Sequence, residues 1–180
     1  MTDRSPLLFL LFAGPVRLAG RLIPVLIALA LVVVANLPIS FTGGLLPAPV
    51  LALAAIYFWA LARPALMPPY AVLVIGLAED LVSGGPPGLW ATGFLAGYVL
   101  IDRQRKNLGE LNGPGNLVAF TGVMLISAIT AYVLASAIYM RLLPLPPLLL
   151  EGIVTVALYP LLERPLDWAD RSITRFLRSG

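Results

Sequence analysis

The stretch Gly76-Leu77-Ala78-Glu79-Asp80-Leu81-Val82-Ser83-Gly84-Gly85-Pro86-Pro87-Gly88-Leu89-Trp90 decides how this chain folds. Two adjacent carboxylates, Glu79 and Asp80, stand in an apolar run that then breaks over Gly84, Gly85, Pro86, Pro87 and Gly88. Helical spacing puts Gly76, Asp80 and Gly84 on one face, with Ser83 beside them and Glu79 about 100° away. Glycines permit a tight reversal, and prolines preset the backbone of the helix that follows. The stretch therefore predicts a helical hairpin, with one helix ending near Ser83 and another starting after Pro87. Asp80 lies at the C-terminal end of its own helix, where the macrodipole disfavours a negative charge. The first turn of the next helix carries N–H groups without partners, and closing the hairpin would bring them to Asp80.

Composition sets the surroundings of this hairpin. The chain has 180 residues, 59% hydrophobic and 12% charged, with a mean hydropathy of +0.94. A soluble domain of this length carries about twice that share of charge, so the composition points to an all-α polytopic membrane protein. The net charge of +3 comes from scattered basic residues, which is no pattern for binding nucleic acid. Without cysteine or histidine the chain has no thiol chemistry, and the commonest general base and zinc ligands are missing. No catalytic residue, metal or cofactor is expected.

A helix needs roughly 20 apolar residues to cross the hydrocarbon core. Six runs qualify or come close: 22–39, 46–62, 69–83, 87–101, 117–140 and 145–162. The third and fourth are short, so a single re-entrant hairpin is an alternative for that pair. Six crossings put eleven basic residues on one side: Arg4, Arg17, Arg21, Arg63, Arg103, Arg105, Lys106, Arg164, Arg171, Arg175 and Arg178. Arg141 alone is left for the other side. Positive charge marks the cytoplasmic face, so both termini are expected in the cytoplasm. The chain then forms one membrane domain. Residues 1–21 are an interfacial N-terminal segment, 22–162 the six-span bundle, and 163–180 an amphipathic cytoplasmic tail. Residues 6–13 resemble a signal peptide but lack a convincing cleavage site, so the segment is read as uncleaved. The tail is expected to lie on anionic lipid, with docking to a cytoplasmic partner as the alternative.

Two sets of small residues suggest close helix packing: Gly93 and Gly97 in span four, and Ser127, Ala131 and Ala135 in span five. Ordinary packing within the bundle and recognition of a partner's helix both fit such stripes. Intramembrane acids almost always turn inward. Glu79, Asp80, Arg141 and Glu151 all fall toward the outer ends of their segments, and a polar cluster of these four is expected. Acids gathered near one face do not suit a proton relay across the membrane.

These residues resemble the rod shape-determining MreD family. The family pattern runs roughly G-L-x-x-D-[LI]-x-S-[GS]-x-x-[LP]-G, and it is matched here from Gly76 through Ser83 to Gly88, after the span end Tyr57-Phe58-Trp59 and Ala60-Leu61-Ala62-Arg63-Pro64. A basic loop, Asp102-Arg103-Gln104-Arg105-Lys106, would follow the next span. The motifs cover about a third of the chain, and Glu79 stands where the family often carries glutamine. The resemblance implies a non-enzymatic component of the bacterial wall-elongation complex. Its implied partners are MreC, MreB, and RodA with its cognate transpeptidase. It also implies a six-helix bundle similar to the S-components of energy-coupling-factor vitamin transporters. That shared architecture makes a small-molecule binding subunit or small transporter the rival reading. S-components typically carry Ala-x-x-x-Ala in the first span, and Ala28, Ala30 and Ala35 do not have that spacing.

Overall fold

The computed structural model describes residues 22–37, 47–109, 111 and 113–179. These residues form α1 (Leu22–Ala35), α2 (Leu51–Ala62), a 3-10 turn (Pro64–Leu66), α3 (Pro69–Ser83), α4 (Leu89–Gly109), α5 (Pro114–Ile138) and α6 (Leu145–Ser179), with no strand among the described residues. Prolines open α3 and α5, where a missing N–H costs no hydrogen bond. Gly84 ends α3 in the left-handed conformation, at φ 72°, and both its N–H and that of Gly85 reach Asp80 O.

α2 is the axis of the molecule. Nine of its residues, Leu51–Tyr57, Trp59 and Ala60, are buried. α3, α4, α5 and α6 pack in chain order, each on the next, and all four touch α2. Ala28 and Val32 of α1 join the same core. A helix that is apolar all round belongs at such a centre, and four alanines among its buried residues let its neighbours come close. Beside α2 the Phe120 and Tyr159 rings stack at 4.3 Å, and Tyr57 meets Phe120 edge-on at 5.4 Å.

The outside of the bundle is apolar as well. Leu26 on α1, Leu81 on α3, Val99 on α4, Ile129 on α5 and Ile153 on α6 are all exposed. Among the described residues two helices are long and apolar enough to cross a membrane: α5, and α6 from Leu145 to Arg175. Only 28% and 11% of their most apolar stretches are buried, so neither is an enclosed core helix. α1 and α2 are shorter apolar helices, and α3 has 15 residues.

Two boundaries differ from the sequence expectation. The basic segment 102–106 is not a loop but part of α4, which continues to Gly109. Arg, Gln and Lys are good helix formers, and an Asp102–Arg105 ion pair joins one turn to the next. The tail beyond residue 162 is likewise the continuation of α6, through Pro160 and Pro165. It does not stand apart: Leu166 and Ile173 are buried, and Arg63 Nε pairs with Asp170 Oδ1 at 2.5 Å. The tail therefore docks on this chain's own α2–α3 connection, and its exposed side carries Trp168, Arg171 and Arg175. The expected segment 1–21 lies outside the described residues, as do Phe176 and Leu177 as side chains.

Candidate functional site

The α3–α4 hairpin is built around one carboxylate. Asp80 is 1% exposed, and backbone amides surround it. Its Oδ2 accepts from Gly88 N at 2.8 Å and Ala91 N at 3.4 Å, and its Oδ1 from Trp90 N at 2.7 Å. The amides that α4 cannot satisfy internally thus end on Asp80, and the positive end of the α4 dipole offsets the negative end of α3. Charge-assisted bonds of this kind are what make a buried carboxylate tolerable. The backbone must bend sharply to deliver them, and Gly88 does so at φ 97°. Ser83 adds a longer bond from its hydroxyl to Asp80 O, at 3.4 Å. The two helices also touch directly: a Cβ on Gly76 would sit 2.4 Å from Ala91 Cα. With both oxygens occupied, Asp80 holds the hairpin shut.

Glu79 points elsewhere. It is 3% exposed, its Oε1 accepts from Asn36 Nδ2 at 2.9 Å, and its Oε2 is buried without a partner. Asn36 also donates to Val32 O, which ties the end of α1 to α3. Glu151 is partly buried in the second turn of α6. Arg141 is exposed in the α5–α6 turn and pairs with none of the three acids. The expected cluster of four is thus divided. Asp80 serves the hairpin, Glu79 binds Asn36, Glu151 lies on α6, and Arg141 stands outside. The reason is the order of the helices: α4 lies between α3 and α5, so the turn after α5 is remote from the acids of α3.

The two small-residue stripes meet each other. A Cβ on Gly97 would fall 2.4 Å from Ser127 Oγ, and one on Gly93 2.8 Å from Ser127 O and 3.6 Å from Ala131 Cβ. Ala131 and Ala135 are buried on the same α5 face. Both stripes are consumed by the α4–α5 crossing, which leaves neither for a partner's helix.

Several structural residues escaped the sequence analysis. Val50, just before α2, is buried outside any helix, and its N–H donates to Thr155 Oγ1 at 3.0 Å. Thr155 in turn donates to Glu151 O. At the opposite end of the bundle from the hairpin, Tyr57 OH donates to Asn116 Oδ1 at 2.7 Å. Asn116 Nδ2 reaches Tyr159 OH at 2.8 Å and Glu163 Oε1 at 2.9 Å. Tyrosines inside apolar runs were the one available signal, because a buried hydroxyl needs a partner. Among the described residues no group of three acids converges as a metal site would. The chain matches no protein-family model, no curated protein and no solved structure.

Proposed function

We propose that this chain is a multi-pass inner-membrane protein, crossing six times with both termini cytoplasmic, that serves bacterial wall elongation as a scaffold for MreC and the peptidoglycan synthases. It acts without chemistry of its own. The observation that carries the reading is the hairpin. The residues that resemble the MreD pattern are Asp80, which gathers the α4 amides, and Gly84 and Gly88, which turn the chain toward it. A motif of this kind builds a rigid platform, with both oxygens of Asp80 spent on backbone amides. Membrane insertion is supported by apolar side chains exposed around the bundle and by the eleven-to-one distribution of basic residues. MreB, RodA and its cognate transpeptidase complete the set of partners. Since the glycine and alanine stripes are spent inside the bundle, partner helices would meet the exposed apolar faces instead.

Depletion in the rod-shaped native host tests this reading. Cells should round, and wild-type chain should restore the rod. Cells that keep their shape but require a vitamin supplement would refute scaffolding and favour the small-molecule binding subunit. Alkaline phosphatase fused after Gly180 should be inactive, and fused at Gly43 active. An active fusion after Gly180 would overturn the orientation.

A further inference from the structure

A lateral groove of about 520 Å³ runs between α5 and α6. Leu117 and Pro160 line one end, Tyr132 and Leu145 the other, and Ala128 and Gly152 contribute to its wall. Leu117 to Tyr132 and Leu145 to Pro160 each span fifteen residue steps, which makes it roughly 22 Å long at 1.5 Å per residue. All the empty space between the helices, about 1180 Å³ including the open side, gives a mean cross-section of at most about 54 Å², or roughly 8 Å across, whereas a helix with its side chains needs about 10–12 Å. The groove is too narrow for a helix and suits a single hydrocarbon chain.

Its two ends differ. At the Tyr132 end the connection between α5 and α6 closes over it, and the Tyr132 hydroxyl donates to Leu143 O at 3.2 Å. At the Pro160 end α6 carries Arg164, between Glu163 and Asp167. Arg164 lies one turn beyond Pro160 and two beyond Ala157, on the same side of the helix. It is exposed and takes part in none of the ion pairs among the described residues. Its neighbour Glu163 is held by Asn116, and Asp167 is paired with Arg171. Trp168, 69% exposed, follows a further turn on, where an indole would sit among headgroups.

We propose that this groove is a binding site for one anionic phospholipid of the inner leaflet, with an acyl chain between α5 and α6 and its phosphate at Arg164. The inference rests on the membrane reading above. It gives α6 a second role, because besides spanning the bilayer the helix fixes a charged lipid at the point where it leaves. Basic residues beside anionic headgroups supply the selectivity, and the groove supplies the fit.

The test is native mass spectrometry of the purified full chain during stepwise delipidation, supplied with phosphatidylglycerol or phosphatidylethanolamine of matched chains. One phosphatidylglycerol per chain should survive longest. Arg164→Gln should lower its retention roughly fivefold and abolish the preference over phosphatidylethanolamine. Gly152→Leu, where a Cβ meets only Met124 Cε at 3.7 Å, should block retention of both lipids without changing elution or melting. Ile153→Trp, at an exposed position lining the groove, should do the same should Gly152→Leu fold poorly. Equal retention of the two lipids by wild type, or retention untouched by the groove variants, would overturn the site. So would a photo-crosslinker at Leu149 that captures protein rather than lipid in cells. Alkaline carbonate separates the two readings. A chain released from membranes refutes the membrane reading itself, whereas one that stays embedded but keeps no phosphatidylglycerol refutes this inference alone.

Discussion

Asp80→Asn puts the hairpin under the sharpest test. Asparagine has nearly the same shape, but it offers one oxygen where aspartate offers two. Asp80 divides its acceptors between Trp90 N on Oδ1 and Gly88 N with Ala91 N on Oδ2. Whichever way the amide turns, an NH₂ group faces a backbone N–H. The better choice keeps the oxygen toward Gly88 and Ala91, and leaves the buried Trp90 N–H unsatisfied. An unsatisfied buried donor costs about 1–3 kcal/mol. Losing the negative charge between the α3 and α4 termini adds roughly 0.3–1 kcal/mol. The sum is about 1.3–4 kcal/mol. For a chain of this length, that corresponds to a melting temperature lower by roughly 3–16 °C, at about 2–4 °C per kcal/mol. Thermal melts of the detergent-purified chain, followed by tryptophan fluorescence, read the shift directly because Trp90 is at the site. A change of less than 1 °C would refute the claim that this carboxylate closes the hairpin. Asp80→Ala should be at least as harmful, since it leaves all three amides without an acceptor.

Other substitutions separate neighbouring effects. Glu79→Gln should leave melting unchanged or raise it, because a buried, half-partnered charge is removed while an oxygen remains for Asn36; a large drop would mean that the charge is needed. Gly97→Ala should cost about 1–3 kcal/mol by driving a methyl into Ser127 Oγ, and Ser127→Ala should recover part of that cost in a double-mutant cycle. Gly76→Ala should be worse than Gly97→Ala, since it meets Ala91 backbone instead of a side chain; equal melting points would contradict the close α3–α4 approach. Met140→Gly should stabilise by roughly 0.5–1 kcal/mol in the same melts. Met140 holds φ 51° in the turn that ends α5, where Arg141 N reaches Ser136 O and Met140 N reaches Ala137 O, and a side chain there is strained.

The hairpin was legible because its physics is local. Asp80 and its amide donors are separated by only 8 to 11 residues, and the glycines and prolines between them leave the chain few ways to turn. The small stripes were legible as close packing for a related reason, since only a missing side chain lets two backbones approach. Which surfaces would meet was another matter. Glycine in α4 says that something comes close, and only the packed bundle shows that it is Ser127 of α5. The basic end of α4 was misplaced as a loop because charge marks a membrane boundary, and a helix can cross that boundary without ending.

By itself the sequence determined the helical class, the apolar character, the sites of most helix starts and the hairpin at Asp80. Tertiary structure decided that α2 is the axis, because apolar residues look alike whether their neighbours are lipid or protein. It also decided the pairs that join distant parts of the chain: Asn36 with Glu79 across 43 residues, Val50 with Thr155 across 105, and Arg63 with Thr174 across 111. Each of these bonds exists because α1 and α3 to α6 are arranged round α2 in one particular order. That order is set by which apolar surfaces fit together, a property of shape that hydropathy along the chain does not record.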